Sequence, residues 1–231
     1  MNIVCIGAHP DDAEYFAGGT CALWARAGFN VLAVSMTNGD IGHHVMAGGA
    51  LARRRIAEVK AADERAGLKS LVLDYHDGEL EATLPVRKRV VTLIREFNAD
   101  VVLTHRPNDY HPDHRYTSLV VQDAAFMVTV PNFCPTVPAL RTNPVFFFLM
   151  DLFRKPAPFT ADVAVDVTPV MAEKWAMLDA IESQMYEWLP WLDGQLESVP
   201  SGKAARRAWL ERALGPYFEE FDGRHRAALE T

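Results

Sequence analysis

The sequence predicts an α/β fold, in which a mostly parallel central sheet lies between two layers of helices. Apolar, β-branched runs alternate along the 231-residue chain with longer segments of helical periodicity, as in consecutive βαβ units. We expect strands at residues 3–8, 30–37, 70–75, 100–105, 144–150 and 161–167. Helical segments between these strands are expected near residues 18–28, 50–67, 85–97 and 114–128.

The helix expected over residues 50–67 shows the pattern most clearly. It spaces Leu51, Ile56 and Val59 at helical intervals, so that its apolar side chains share one face. The pattern stops at Gly67, a residue type that commonly follows the last helical turn because it adopts positive φ without strain. This helix should therefore cover one face of the sheet.

The chain changes character after residue 167, where helical patterns follow one another without a further strand. Thr168 is a candidate N-cap, Pro169 occupies the first helical position, and apolar residues then recur at three- and four-residue spacings. A last helix is expected near residues 203–221. The proline-rich segment at residues 129–143 is expected to be a long loop, and loops of that length in compact domains are often functional.

Length and composition predict one domain and a small soluble substrate. With 49% hydrophobic residues the chain can bury a full core. We expect a single domain over residues 1–231, with its core in residues 1–167 and a C-terminal extension of strand and helices over residues 161–231. The net charge of -7, from 23 basic and 30 acidic residues, gives no electrostatic footprint for nucleic acid.

Cysteine content and the N-terminal residues favour a cytoplasmic location. Cys5, Cys21 and Cys134 are widely spaced and form no CxxC pair, which argues against a disulfide framework and against a thiolate zinc site. The N-terminal residues lack the basic region and cleavage site of a signal peptide. The sequence contains no run of 18 apolar residues, so no membrane span is predicted. A homo-oligomer is compatible with the sequence.

Strand order determines which motifs can meet. In the doubly wound, Rossmann-like order 3-2-1-4-5, the ligand crevice lies outside the carboxyl ends of the first and fourth strands. The first strand leads into AHPDDAE at residues 8–14, and the fourth ends at His105, six residues before HPDH at residues 111–114. Two motifs about a hundred residues apart would then face each other across one cleft.

The residue types in these motifs suit a zinc site. His9, Asp12 and His114 offer two imidazoles and a carboxylate, and catalytic zinc commonly takes three protein ligands and leaves its fourth position to water. Asp11 supplies a further carboxylate that can take a proton from that water. His111 and Asp113 remain as an imidazole and carboxylate, a pairing that fixes a tautomer or holds a positive charge.

Each motif also has a simpler structural explanation. Asp11, Asp12 and Glu14 precede a helix, where carboxylates cap free N–H groups and favour the positive end of the dipole. His9 alone could be a hydrogen-bonded residue at a strand end, and HPDH alone could be a turn followed by an Asp N-cap. Their joint position at one crevice favours the metal site.

These residues resemble the zinc-dependent PIG-L or LmbE-like N-acetylglucosaminyl deacetylases. The family signature is a first-strand AHPDD-x-E motif and a later HPDH, which stand here at residues 8–14 and 111–114. TNGDIG (37–42), RIAE (55–58) and DGEL (77–80) are similar to further family motifs. One departure is Ile181, at a position before Ser-Gln where many members have histidine.

The resemblance implies roles for individual residues. It implies that His9, Asp12 and His114 ligate Zn²⁺ and that Asp11 is the general base. Protonated His111 would polarise the carbonyl and stabilise the oxyanion, with Asp113 holding its ring. Arg55 would reach a sugar hydroxyl, and Asp40 would lie near the substrate, although Arg55 could instead belong to a solvated helix face.

The resulting hypothesis is a zinc-dependent hydrolase that removes an N-acetyl group from an N-acetylglucosamine-type sugar or conjugate. It would release a free amine and acetate, with the small-molecule glycoconjugate as its partner. Two alternatives remain: a metal-dependent phosphoesterase, which should hold two metals, and a non-catalytic sugar- or nucleotide-binding module of the same fold. The absence of GxGxxG after the first strand disfavours the nucleotide version.

Overall fold

Five parallel strands form the centre of the fold. A computed structural model describes the backbone of residues 1–229 and the side chains of residues 1–218. The strands are β1 (Asn2–Gly7), β2 (Asn30–Thr37), β3 (Lys69–Tyr75), β4 (Val101–Thr104) and β5 (Val145–Phe148). Their order is β3-β2-β1-β4-β5, and every neighbouring pair is parallel. The predicted strand order is confirmed.

Helices cover both faces of this sheet, which confirms the predicted three-layer α/β class. They are α1 (Gly18–Arg26), α2 (Gly48–Arg65), α3 (Leu84–Glu96), α4 (Pro112–Met127), α5 (Met171–Ala180), α6 (Leu189–Leu192) and α7 (Lys203–Leu229). A π-helical turn, Ala13–Ala17, precedes α1, and a second one, Ser183–Trp188, precedes α6.

The alternation of side chains along β1 separates two hydrophobic cores. Ile3 and Cys5 pack into the cluster that contains residues of α1, α2 and α5. Val4 and Ile6 pack into the cluster on the opposite face, with α3 and α4. Since all four side chains are fully buried, β1 is covered on both faces, as a central parallel strand requires. Leu210 of α7 joins the first cluster.

Helix boundaries follow local signals that the sequence carries. Gly67 has φ +73°, which an L side chain rarely adopts, and α2 ends two residues earlier. Pro112 begins α4, where its missing N–H needs no partner. The helical pattern from Thr168 is interrupted, because a 3₁₀ turn precedes α5 and Ile181 leaves helical geometry after it.

The strand predicted at residues 161–167 is wrong. These residues form no strand, and β5 pairs only with β4 at that edge of the sheet. The alternation of valine with aspartate and alanine suggested a half-buried strand, but Val163 and Val165 are 59% and 41% exposed. A period of two shows only that one side of the chain is apolar; a strand also needs a hydrogen-bonded neighbour. Among the described residues, no helix combines the length and hydropathy needed to cross a membrane.

The predicted loop at residues 129–143 is held by one buried arginine. Arg95 lies in the last turn of α3, is 4% exposed and points its guanidinium at the loop. Its donors bond to backbone carbonyls at 2.6–3.2 Å, those of Met127, Val128, Val130, Phe133, Cys134 and Val137. Four of these carbonyls also accept from backbone N–H groups of the same segment, whereas among the described residues those of Phe133 and Val137 accept from Arg95 alone.

We predict that Arg95→Met lowers the free energy of unfolding by about 3 kcal/mol, because it removes six hydrogen bonds and leaves the Phe133 and Val137 carbonyls without a donor. Urea unfolding measures this loss, and limited proteolysis should show faster cleavage within residues 129–143. Arg89→Met is the matched control on the same helix, since Arg89 is more exposed and pairs only with Glu96 at 3.5 Å. Equal stability of the two variants would contradict the prediction.

Candidate metal centre

The two histidine-rich motifs meet at the carboxyl end of β1. β1 pairs with β2 on one side and β4 on the other. The strand order therefore reverses at β1, which leaves a crevice at the carboxyl ends of β1 and β4. His9 lies two residues after β1, and α4 begins within the second motif, with His111 as its N-cap. The predicted meeting of residues 8–14 with residues 111–114 is therefore what the fold produces.

Asp12 organises the turn that follows β1. Its Oδ2 accepts hydrogen bonds from the backbone N–H groups of Ala8 and His9, both at 2.8 Å. A Cβ at Gly7 would lie 2.5 Å from Asp12 Cβ, so only glycine fits where the strand ends. Burial opposes ionisation of Asp12, but His114 and His105 lower its pKa well below the usual value. The carboxylate is therefore ionised within the turn.

Donor atoms of three residues converge where the sequence predicted a metal. His9 Nδ1 lies 3.1 Å from His114 Nε2 and 3.6 Å from Asp12 Oδ2, and His114 Nε2 lies 3.5 Å from Asp12 Oδ1. Ligands bound at 2.0–2.1 Å to a tetrahedral zinc ion are about 3.3–3.4 Å apart, so these spacings fit such an ion. The donor set, two imidazoles and a carboxylate, also suits zinc.

Two further residues, to which the sequence interpretation assigned no definite role, contact this donor set and support it. Asp109 Oδ2 lies 3.0 Å from His114 Nδ1, which leaves Nε2 of that ring directed at the centre. His105 Nε2 lies 3.1 Å from Asp12 Oδ2, and its ring stacks on His114 at 4.0 Å with a 7° interplanar angle. The available signals were His105, at the end of the predicted fourth strand, and Asp109, two residues before HPDH.

The other nitrogen of His9 faces two carboxylates. Its Nε2 lies 3.1 Å from Asp77 Oδ1 and 3.4 Å from Asp113 Oδ2, yet it is buried without a partner of hydrogen-bond geometry. Burial lowers the pKa of His9, but these carboxylates and Asp12 outweigh it and raise the pKa well above the usual value. Asp77 is a third residue that the sequence interpretation missed, although its DGEL motif had been noted.

The expected pairing of the Asp113 carboxylate with the His111 ring needs correction. That carboxylate accepts from the backbone N–H groups of Gly78 and Leu80, at 2.6 and 3.2 Å, and faces His9. Asp113 contacts His111 through its backbone instead, because its N–H donates to His111 Nδ1 at 3.2 Å. The reason is the helix start: His111 caps α4, and the Asp113 side chain is buried towards the loop after β3.

This cap also corrects the expected charge of His111. Nδ1 accepts a backbone N–H, so it carries no proton, and the ring is neutral with its proton on Nε2. Burial, together with the nearby His9 and His114, lowers the pKa of His111. The ring lies 4.5 Å from that of His9, centroid to centroid. His111 can therefore donate a hydrogen bond beside the centre without being protonated.

Asp11 and Arg55 form a buried pair next to the donor atoms. Arg55 Nη2 lies 3.1 Å from Asp11 Oδ1, and Arg55 is 2% exposed, so its solvated-helix interpretation is wrong. Burial raises the pKa of Asp11, although the Arg55 guanidinium opposes this. Cβ atoms at Gly39 and Gly42 would lie 2.5 and 2.7 Å from Arg55 Nη1. The glycines of TNGDIG therefore make room for this guanidinium.

Asp40 is buried and both of its carboxylate oxygens are engaged. Oδ2 lies 2.8 Å from His76 Nδ1, and Oδ1 accepts from the Asp77 backbone N–H at 3.1 Å. Asp40 thus fixes the loop that carries Asp77. The Glu14 carboxyl lies against Asp63, and burial followed by this neighbour raises its pKa well above the usual value. Glu14 is therefore part of a buried carboxyl pair behind the turn.

Donor atoms at this centre fall into three groups. Their ligand atoms lie within 4.8 Å of one another in each group: His9, His111 and His114; Asp12, His105 and His114; and His9, Asp77 and Asp113. Among the described residues, His9 and His114 link the groups, but the second and third groups share no residue. A two-metal phosphoesterase needs two such groups, so the number of ions bound separates that alternative from a hydrolase with one zinc.

Comparisons with known proteins place this geometry among deacetylases. A diacetylchitobiose deacetylase of Thermococcus kodakarensis is 31% identical over 201 residues, which cover 82% of this chain and 74% of that protein. A probable N-acetyl-alpha-D-glucosaminyl L-malate deacetylase 2 of Bacillus cereus is 33% identical over 220 residues, 91% of this chain and 94% of that protein.

Other similar proteins show the same fold with a wider range of activities. The structure of an N,N'-diacetylchitobiose deacetylase from Pyrococcus horikoshii matches with a TM-score of 0.72 and 26% identity, over 85% of this chain and 76% of that one. A 4-oxalmesaconate hydratase of Pseudomonas putida is 24% identical, over 79% of this chain and 74% of the relative.

The family itself follows from a match to the conserved region. A profile described as PIG-L, GlcNAc-PI de-N-acetylase, matches residues 4–125, more than half of the chain. This range contains both motifs and every donor atom described above. Together with the two relatives above 30% identity, the match confirms the resemblance found in the sequence: the chain belongs to the PIG-L family of de-N-acetylases.

Proposed function

We propose that the chain is a zinc-dependent hydrolase that removes the acetyl group from an N-acetylglucosamine-type sugar or conjugate. The observation that carries this proposal is the convergence of His9 Nδ1, His114 Nε2 and the Asp12 carboxylate, 3.1–3.6 Å apart. The Asp11 carboxylate lies beside them and is not one of the proposed ligands. His9, Asp12 and His114 would hold the ion. A zinc ion there would supply Lewis acidity, which polarises an acetyl carbonyl and lowers the pKa of water.

Asp11 is the proposed general base and acid. Arg55 holds its Oδ1 at 3.1 Å, which leaves Oδ2 to take a proton from the attacking water. The water oxygen then forms a bond to the acetyl carbon. When the carbon–nitrogen bond breaks, Asp11 returns its proton to the departing amine, so the products are a free amine and acetate. Burial of Asp11 suits a carboxyl that gains and loses a proton in each turnover.

His111 is the proposed oxyanion donor. Its Nε2–H would donate to the acetyl oxygen as negative charge develops there, and the Asp113 N–H holds the ring in this tautomer. A neutral donor of fixed orientation lowers the barrier without a second proton transfer. Asp113 is proposed to act mainly on His9, whose ring it faces at 3.4 Å.

Arg55 and Asp40 are proposed to act on the substrate side through neighbouring groups. Arg55 is almost fully buried and bonds to Asp11 and to the Gly39 carbonyl, so its first effect is to position the base. A sugar hydroxyl could reach Arg55 only at the edge that faces Asp11. Asp40 would shape the same side through Asp77 and His76.

We predict that the purified chain contains about one zinc ion and releases amine from at least one N-acetylated amino sugar. A chelator should abolish this activity, and added zinc should restore it. Metal analysis and an amine-release screen over N-acetyl sugars measure both. Zinc with no amine release, but hydration of 4-oxalmesaconate, would favour the reaction of the hydratase relative instead. Neither zinc nor amine would favour a binding module.

We predict that Asp11→Asn lowers kcat by at least about a hundredfold and leaves zinc bound, because the amide cannot carry the proton. Steady-state kinetics and zinc content of the purified variant test this. Asp123→Asn is the matched control, since Asp123 lies on the surface of α4 and pairs with Arg87. Loss of zinc from Asp11→Asn, or normal turnover, would count against Asp11 as the base.

We also predict that Asp109→Asn weakens zinc affinity by about 10- to 100-fold, because Asp109 orients His114 through its Nδ1. Competition with a chromogenic chelator measures the affinity without any assay of activity. Asp123→Asn again serves as the control. An unchanged affinity would show that the 3.0 Å contact does not support the ligand.

A further inference from the structure

An aromatic side chain stands exposed at the mouth of the centre. Tyr110 is 72% exposed, although the residues on either side of it, Asp109 and His111, are turned into the centre. Its ring centroid lies 6.0 Å from those of both His111 and His114. The Tyr110 ring therefore lies at the outer edge of the centre, next to the start of α4.

Tyr110 has an aromatic neighbour on a separate loop. Phe153, in the segment after β5, lies 5.3 Å from Tyr110, centroid to centroid, at an angle of 49°. The Phe153 backbone is fixed at both groups: its N–H donates to Asp151 Oδ1 at 2.9 Å, and its carbonyl accepts from Arg106 at 3.2 Å. Arg106 Nε also donates to Asp151 Oδ2 at 2.6 Å.

The backbone of Tyr110 is fixed in the same way. Arg115 Nη1 donates to the Tyr110 carbonyl at 2.9 Å and to the Asp109 carbonyl at 2.8 Å. An exposed aromatic ring on an anchored loop loses little conformational freedom when a ligand packs on it. The backbone that carries both rings is thus held in place before a ligand binds.

We propose that Tyr110, supported by Phe153, binds a second sugar ring, the unit attached to the N-acetyl sugar that is deacetylated. This inference rests on the proposed function. One face of a pyranose presents C–H groups, which pack on an aromatic ring, while its hydroxyls stay in water or bond to the phenol. With the acetyl group at Asp11 and His111, the 72% exposed Tyr110 ring lies outwards from the reacting atoms, on the side where a unit attached to the N-acetyl sugar would extend. The preferred substrate is then at least a disaccharide.

The test compares one N-acetyl monosaccharide with a neutral β-linked disaccharide of the same amino sugar. In Tyr110→Ala, we expect kcat/KM for the disaccharide, relative to the monosaccharide, to fall about tenfold, mainly through KM. Tyr110→Phe should keep most of this preference, because it keeps the ring. Phe126→Ala should leave the ratio unchanged: Phe126 is also 72% exposed but lies at the far end of α4.

Two results would overturn the inference: an unchanged ratio in Tyr110→Ala, or an equal loss with both sugars, which would mark a structural role. Calorimetric titration with the free amino disaccharide and monosaccharide makes the test independent of turnover. If the wild-type chain deacetylates neither sugar, the proposed function fails. Tighter binding of the disaccharide, lost in Tyr110→Ala, would still support the Tyr110 surface, whereas equal binding of the two sugars would reject it.

Discussion

The centre depends first on the Asp12 carboxylate, because its Oδ2 joins the two strands that build the site. It accepts from the N–H groups of Ala8 and His9 in the turn after β1, and His105, which follows β4, lies 3.1 Å away. Gly7 permits this turn, since a Cβ there would collide with Asp12. The position of one proposed ligand is therefore set by the backbone and the neighbouring strand before a metal binds, which would lower the cost of organising the site.

The ionisation of the carboxylates around the centre is set by nearby charged groups and not by contact with solvent. Burial alone would raise the pKa of Asp12, Asp77 and Asp109, but nearby histidines lower the pKa of all three. For Asp11 burial prevails over Arg55, and its pKa is raised. The carboxylates that hold other groups thus stay ionised, while the one proposed to carry a proton is biased towards accepting it. A divalent cation would add to this balance, because the carboxylates outnumber the fixed positive charges.

Sequence patterns predicted the strands and motifs that build this site, and fewer of the hydrogen bonds within it. The five confirmed strands are apolar runs in βαβ spacing, and their order places His9 opposite His114 by chain geometry alone. The hydrogen-bond partners of Asp113 and Arg55 could not be predicted. Each bond joins two elements of the fold, and local sequence patterns do not show the orientation of one element relative to the other. The same limit explains residues 161–167, where an alternating pattern met no neighbouring strand.

The C-terminal part of the chain also takes part in the site, because it holds the loop after β2. Gln184 donates to the Gly42 carbonyl at 3.0 Å, and His43 Nε2 lies 2.8 Å from Glu187 Oε2. Gly42 in turn packs against the buried guanidinium beside the proposed base. The family match ends at residue 125, so these anchors lie outside the shared motif region. Substitutions at Gln184 or Glu187 would therefore change the loop beside the proposed base without altering any proposed ligand, which is one physical route to different substrates on one centre.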